Sequence, residues 1–418
     1  MWSPGACGKL PCVTILIGDN GVGFPNPGSP ELDGAGVPEH PQPVVPGDAE
    51  ISRTFDLVTR AGDKPVAYFY GRLFAANPEL RAMFPAAMDA QRDRLFRALT
   101  RIVHGAGQPQ ATEAYLCQLG LDHRKYGVQA RHYPAVGRAL LATLAKFAAP
   151  QWTPAAEAAW AAAYERASQL MTAAARESAQ HSPAWWPAEV VRHELRTPSL
   201  AVLTVRPDEP FTYQAGQYVT IQSVRWHRVW RPFSVANAPR PDGLLTFHIR
   251  AVSGGWVSSA LVYHTKVGDR VNLGPPQGEM TLDTGSAGGL YCVAGGSGLA
   301  PIKALIEQAI ADSRPGRPRP IRLLLGARRE ADLYDLPDLW RIEADYPALE
   351  ICPAVSGEPG YAGVRGMLPE VLAHQLPPRG ADIYLSGPPA MVHKSVRVLR
   401  CPELMQWRIH ADPADLAG

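Results

Sequence analysis

The chain has 418 residues, 46% of them apolar and 19% charged, with a formal net charge of +2. That balance is globular, leaves room for two to three cores, and without a long basic run gives no electrostatic reason to expect nucleic acid as a partner. No run approaches the ~20 apolar residues that cross a bilayer, and no basic stretch followed by a long apolar one opens the chain, so neither a membrane span nor a secretion signal is expected. Six cysteines, Cys7, Cys12, Cys117, Cys292, Cys352 and Cys401, are scattered without a CxxC pair. Reduced thiols and a cytoplasmic protein are the expectation.

Residues 1–50 are crowded with Pro and Gly and read as a disordered leader, in which VTILIG at 13–18 is the one strand-like run. From 51 to 180 the period turns helical. Val66, Phe69, Tyr70, Leu73 and Phe74 recur at i, i+3, i+4, i+7 and i+8, one stripe of an amphipathic helix. QRDRLFRALTRIV follows, then TEAYLCQLGLDH with Thr112 as its expected cap, PAVGRALLATLAKF with Pro134 in its first turn, and a long Ala-rich helix. No strand-like alternation intervenes, so this part reads as an all-helical domain.

The texture switches at SPAWWPAEV, 182–190. LAVLTV, QYVTIQSV and LLTFHIRAV alternate as strands with Gly and Pro between them. After about 287, strands and helices alternate: GLYCVAGGSG and LAPIKALIEQAIA, IRLLLGAR, LEICPAV, then ADIYLSGPP and AMVHKSVRVL. The fold class expected is therefore α + β + α/β. An all-α domain at 51–180 precedes an antiparallel β-barrel at 185–284 and a doubly wound parallel sheet at 287–410.

Two sets of residues carry chemistry. His123 follows Leu119 by four and Leu116 by seven, on the inward face of its helix; a lone histidine there suits a core edge as well as a ligand. Tyr70 puts a hydroxyl on an otherwise apolar stripe, where a buried hydroxyl needs a partner, and Gln91 and Leu95 share one helical face. A helical domain with an inward histidine, a tyrosine and a glutamine suits a haem pocket.

At this point the helical part resembles the globin domain of flavohaemoglobins, through FYGRLFAANPELRAMF, QRDRLFRAL, HRKYGVQARHYPAVGRALLATL and WAAAY. The resemblance implies that His123 ligates haem iron, that Tyr70, Gln91 and Leu95 line the distal side, and that Phe84 packs on the haem. It also makes Tyr133 the proximal tyrosine that steadies His123, an outer partner that orients a ligand. Where the family carries a glutamate five residues before the tryptophan, this chain has Ala155. Glu157, two residues on, lies about 200° round a helix and is expected to face elsewhere.

In the second half, Arg231, Phe233 and Ser234 of WRPFSVANAP could belong to an ordinary edge strand. GGWVSSAL places Gly255 before a helix start at Val257 and Ser258 whose free N–H groups could receive a phosphate. With Tyr218 of AGQY, these resemble the FAD-binding domain of the ferredoxin-reductase-like family. The resemblance puts Arg231 on the pyrophosphate, Phe233 on the flavin and Ser234 near flavin N5.

AGGSGLAP, with Gly295, Gly296, Ser297 and Gly298, follows a strand and opens a helix, as a dinucleotide phosphate turn does. Ser386, Gly387 and Pro388 resemble the nicotinamide-side loop, with serine where cysteine is usual. Arg328 and Arg329 end a strand where an adenosine ribose would lie. An arginine there could take a 2′-phosphate, leaving NADH and NADPH both open. The family's flavin-covering aromatic is absent: Ala414 holds its place, and Asp412 replaces a glutamate.

The order of these parts is that of a flavohaemoglobin, with haem b, FAD and NADH or NADPH as cofactors and O₂ and nitric oxide as substrates. The activity implied is an oxidoreductase that oxidises nitric oxide to nitrate. An NAD(P)H oxidase or haem–flavin reductase, and an O₂/NO sensor or carrier, are the alternatives; a monomer or weak dimer is expected.

Overall fold

The computed structural model describes residues 47–411, except 106, 107, 284, 287, 315 and 401–407. The expected leader up to residue 46, Asp412 and Ala414 lie outside the described residues. The chain divides into two compact units, with the boundary between Ala184 and Trp185.

The first unit is helical: α1 (Asp48–Arg60), α2 (Lys64–Ala76), α3 (Asp89–His104), α4 (Pro109–Arg124), α5 (Tyr133–Phe147) and α6 (Pro154–Ala179). Helix α1 begins three residues inside the stretch expected to be disordered. Asp48 and Glu50 stand in its first turn, where the helix dipole favours negative charge. Thr112 is not the cap that the sequence suggests. Helix α4 starts at Pro109, and the Thr112 hydroxyl instead donates to the Gly105 carbonyl at 2.8 Å.

Val66, Phe69, Tyr70 and Leu73 of α2 are buried as the stripe predicts, each such burial worth about 1.5–3 kcal/mol. Helix α4 lies close along α6, because a Cβ at Gly120 would meet the Met171 carbonyl oxygen at 2.3 Å. The buried Trp160 indole N–H donates to Thr54 Oγ1 at 2.9 Å, tying α6 to α1.

The second unit holds two sheets. The first contains β1 (Trp186–Thr197), β2 (Leu200–Pro207), β3 (Tyr218–Ser223), β4 (Arg231–Ser234), β5 (Leu245–Arg250) and β6 (Arg270–Leu273), in the order β4-β3-β6-β1-β2-β5. All its pairings are antiparallel, and a bridge between Val235 and Phe247 draws the two edges together into a nearly closed barrel. Alternate residues such as Leu203, Val205, Ile221 and Phe247 fill its interior. Helix α7 (Trp256–Tyr263) follows β5.

The second sheet is parallel throughout: β7 (Leu290–Gly295), β8 (Ile321–Ala327), β9 (Leu349–Val355), β10 (Val364–Arg365), β11 (Asp382–Ser386) and β12 (Arg408–Ala411). Helices α8 (Leu299–Ala311), α9 (Leu336–Asp345), α10 (Leu368–His374) and α11 (Pro389–Leu399) connect them. The order β10-β9-β8-β7-β11-β12 reverses direction between β7 and β11, the switch point at which doubly wound sheets bind ligands.

Barrel and sheet meet across a polar seam. The His248 ring bonds the Tyr334 hydroxyl at 2.9 Å, Arg196 pairs with Asp338 at 2.9 Å, and Arg240 with Glu307 at 3.2 Å. Beneath it Lys303 holds the fully buried Asp335 at 2.6 Å. Cys292 and Cys352 are free thiols, and among the described residues no helix is long and apolar enough to cross a membrane.

Candidate functional site

In the helical unit, the last turn of α4 presents His123. Its Nδ1–H donates to the Leu119 carbonyl one turn back at 2.6 Å, which fixes the ring and leaves the Nε2 lone pair unused. Loss of hydration pulls its pKa below the ordinary histidine value, so the ring is held neutral, the form that ligates a metal. The partner steadying the ring is this backbone carbonyl and not Tyr133. Tyr133 is partly buried at the start of α5, and its carbonyl accepts a 2.7 Å bond from Tyr164. Glu157 is exposed, and so is Ala155.

Tyr70 is buried among Phe69, Phe74 and Phe84, with ring centroids 5.0–5.8 Å away. Its hydroxyl makes only a long 3.5 Å contact to the Gln91 carbonyl, and desolvation pushes its pKa up to about 12. It is therefore a protonated donor with bonding capacity to spare in an apolar cage. Leu95 and Phe84 pack against the same core. Among the described residues no group of three or more His, Cys, Asp or Glu could hold a metal ion. A neutral histidine with a free Nε2, and a separate buried hydroxyl among aromatics, suit haem.

In the second unit the switch point opens into a cavity of about 930 Å³. Tyr218, Phe233 and Ser234 line it from the barrel; Gly295, Gly296, Ser297, Gly298, Arg328, Ser386, Gly387 and Pro388 line it from the parallel sheet. The glycines are there for space. A Cβ on Gly298 would lie 2.4 Å from the Ser386 carbonyl oxygen, and Gly296 sits at φ +56. The turn after β7 and the loop after β11 thus touch backbone to backbone, and the start of α8 faces the opening.

Of the two arginines after β8, Arg329 is paired with Asp332 at 3.2 Å, whereas Arg328 is exposed at the cavity wall. His248 and Arg250 also line the cavity and escaped the sequence reading, since TFHIR reads as an ordinary strand. Burial pulls the His248 pKa down to about 3, so it is neutral.

The second glycine motif lies elsewhere. Gly254 and Gly255 open onto a separate cavity of about 380 Å³ at the start of α7, lined also by Arg225, Trp226, Trp256, Ser259, Ala260 and His264. A Cβ on Gly255 would come 2.4 Å from Ser258 Oγ, and Val257 and Ser258 are buried behind it. Arg231, expected opposite this helix start, opens β4 and bonds the Trp230 carbonyl at 2.9 Å; the arginine on the cavity wall is Arg225.

Comparison with known proteins follows the same division. The Globin family model matches residues 67–171, the oxidoreductase FAD-binding domain 188–282, and the oxidoreductase NAD-binding domain 292–397. The ferredoxin–NAD(P)(+) reductase component of the naphthalene 1,2-dioxygenase system of Pseudomonas putida is 35% identical over 225 residues, covering 53% of this chain and 67% of that protein. The chain spans 54–67% of the length of the curated oxygenase reductases it matches. The flavohemoprotein of Bordetella pertussis is 27% identical over 421 residues, covering 88% of this chain and 98% of the relative. The crystal structure of flavohemoglobin from Malassezia yamatoensis, with bound FAD and haem, has the same fold, with a TM-score of 0.69 at 19% identity over 87% of this chain and 98% of that one.

Proposed function

Because the chain belongs to the flavohaemoglobin-type fusions, a globin followed by FAD- and NAD-binding oxidoreductase domains, we propose that it is a nitric oxide dioxygenase-type flavohaemoprotein. In this reading 51–180 is the haem domain, 185–284 the FAD domain and 287–410 the NAD(P)H domain, all cytoplasmic, with O₂ and nitric oxide as substrates. The observation that carries it is a globin with a neutral, backbone-anchored His123 in one chain with FAD- and NAD-binding oxidoreductase domains.

Bound haem, FAD and NAD(P)H would supply hydride donation, its division into single electrons, and the dioxygen chemistry that turns nitric oxide into nitrate. The protein's part is holding and orienting. Nε2 of His123 would hold the iron, with Nδ1–H committed to Leu119. Tyr70 offers a protonated hydroxyl inside a cage of aromatic rings that excludes water, with Gln91, Leu95 and Phe84 beside it. Phe233, Ser234 and Tyr218 would receive the flavin, while the glycine turn at 295–298 and the loop 386–388 would hold the nicotinamide nucleotide. Neutral His248 adds no charge at that meeting point, and exposed Arg328 is the cation able to take a 2′-phosphate.

The test is nitric oxide consumption in air by protein with quantified haem and FAD, given NADH or NADPH. Catalytic loss of nitric oxide, with nitrate formed and one nicotinamide oxidised for every two nitric oxides, is the expected result. One observation favours the second reading, an NAD(P)H oxidase or haem–flavin reductase. The ring of His123 faces a neutral carbonyl rather than a carboxylate, which leaves the iron less electron-rich. Stoichiometric nitric oxide loss with peroxide accumulating would establish that reading instead.

A further inference from the structure

Trp226 and Trp256 lie outside every role assigned so far. Both are large aromatics left open to solvent, at 37% and 45% exposure, and they stack on one another with centroids 4.9 Å apart and planes 23° from parallel. They come from separate elements, the β3–β4 connection and the start of α7, and share the wall of the 380 Å³ cavity. Single exposed apolar residues are ordinary; two stacked indoles in a concavity are a flat π surface awaiting a flat ligand.

The rest of the wall states the ligand's charge. It contains Arg225 and His264 and no acidic residue, and the Arg225 guanidinium is tethered at the wall by a 3.3 Å bond to the His264 carbonyl. Gly254, close to Trp256, leaves open space where a side chain would otherwise stand. A planar base joined to phosphate fits this wall, and both tryptophans fall inside the span matched by the FAD-binding domain.

We infer that Trp226 and Trp256 form the shelf on which the adenine of FAD stacks, so that this cavity selects FAD over FMN. The inference rests on the FAD reading above. The glycine turn and loop assigned to the nicotinamide nucleotide lie at the switch-point cavity, which these tryptophans do not line.

Flavin-depleted full-length protein is titrated with FAD and with FMN, which lacks the adenosine half, reading flavin and tryptophan fluorescence. The wild type should bind FAD more tightly than FMN, with tryptophan emission quenched by FAD only. Trp226→Ala and Trp256→Ala should each weaken FAD by about tenfold, the scale of one lost base–aromatic stack, and leave FMN unchanged. Trp256→Phe should keep most of the FAD preference. Equal FAD and FMN affinity in the wild type, unchanged FAD affinity in both alanine variants, or parallel loss of both flavins would each overturn the shelf while FAD binding stands. Binding of neither flavin by the wild type would overturn the FAD reading itself.

Discussion

The two units build their sites from different material. In the helical unit the chemistry rests on side chains: one imidazole anchored to a carbonyl, and one hydroxyl in a ring of aromatics. In the reductase unit it rests on backbone, at glycine turns so close that no Cβ fits between β7's turn and β11's loop. The difference says how each fails. Removing atoms should break the first, and adding atoms should break the second.

The largest effect is expected from His123→Ala. The protein should purify without haem while retaining FAD, as read from the absorbance spectrum; normal haem content would refute the assigned ligand. Next comes Gly298→Val, which forces side-chain atoms against the Ser386 carbonyl. Flavin reduction by NAD(P)H should fall by about a hundredfold or more, a misplacement effect, with FAD still bound. A near-normal rate would mean that this turn does not hold the nucleotide.

The reductase has one spot where subtraction also tells. Lys303→Met strips the cation from buried Asp335, and the unit should lose about 3–5 kcal/mol of stability in denaturant titration. A loss below that of an ordinary surface substitution would show the pair to be dispensable. His248 gives a pH test. An unfolded histidine takes a proton from about pH 6.5 downward. Folded His248 refuses it until about pH 3, so its contribution is whole above pH 6.5 and drains as pH falls through that window. His248→Asn should flatten that acid limb; an unaltered limb would assign it to other groups. The smallest effect is Tyr70→Phe, the loss of one hydrogen bond, which should speed O₂ release by up to about tenfold in stopped flow. An unchanged off-rate would remove Tyr70 from the pocket.

These outcomes track what could be read beforehand. The stripe Val66, Phe69, Tyr70, Leu73 announced α2 because helical period and burial coincide there. The glycine turn after β7 was legible because a strand, GxG and a helix follow one another in sequence. Thr112 misled, because a threonine one turn past a proline looks like a cap although the proline already starts the helix. Strand β12 and the short β10 carried too few residues to show a period.

The sequence by itself determined the parts and their order: a helical domain, an antiparallel barrel and a doubly wound sheet, each with its motif, since period and turn chemistry are local properties of the chain. Tertiary structure alone decided the partners. Leu119's carbonyl, not Tyr133, holds His123, because the ring's donor bonds whatever acceptor lies one turn away. His248 and Arg250 reach the switch-point cavity, and Trp226 meets Trp256 across 30 residues, because which faces of a barrel and a sheet converge is set by packing between segments distant in sequence.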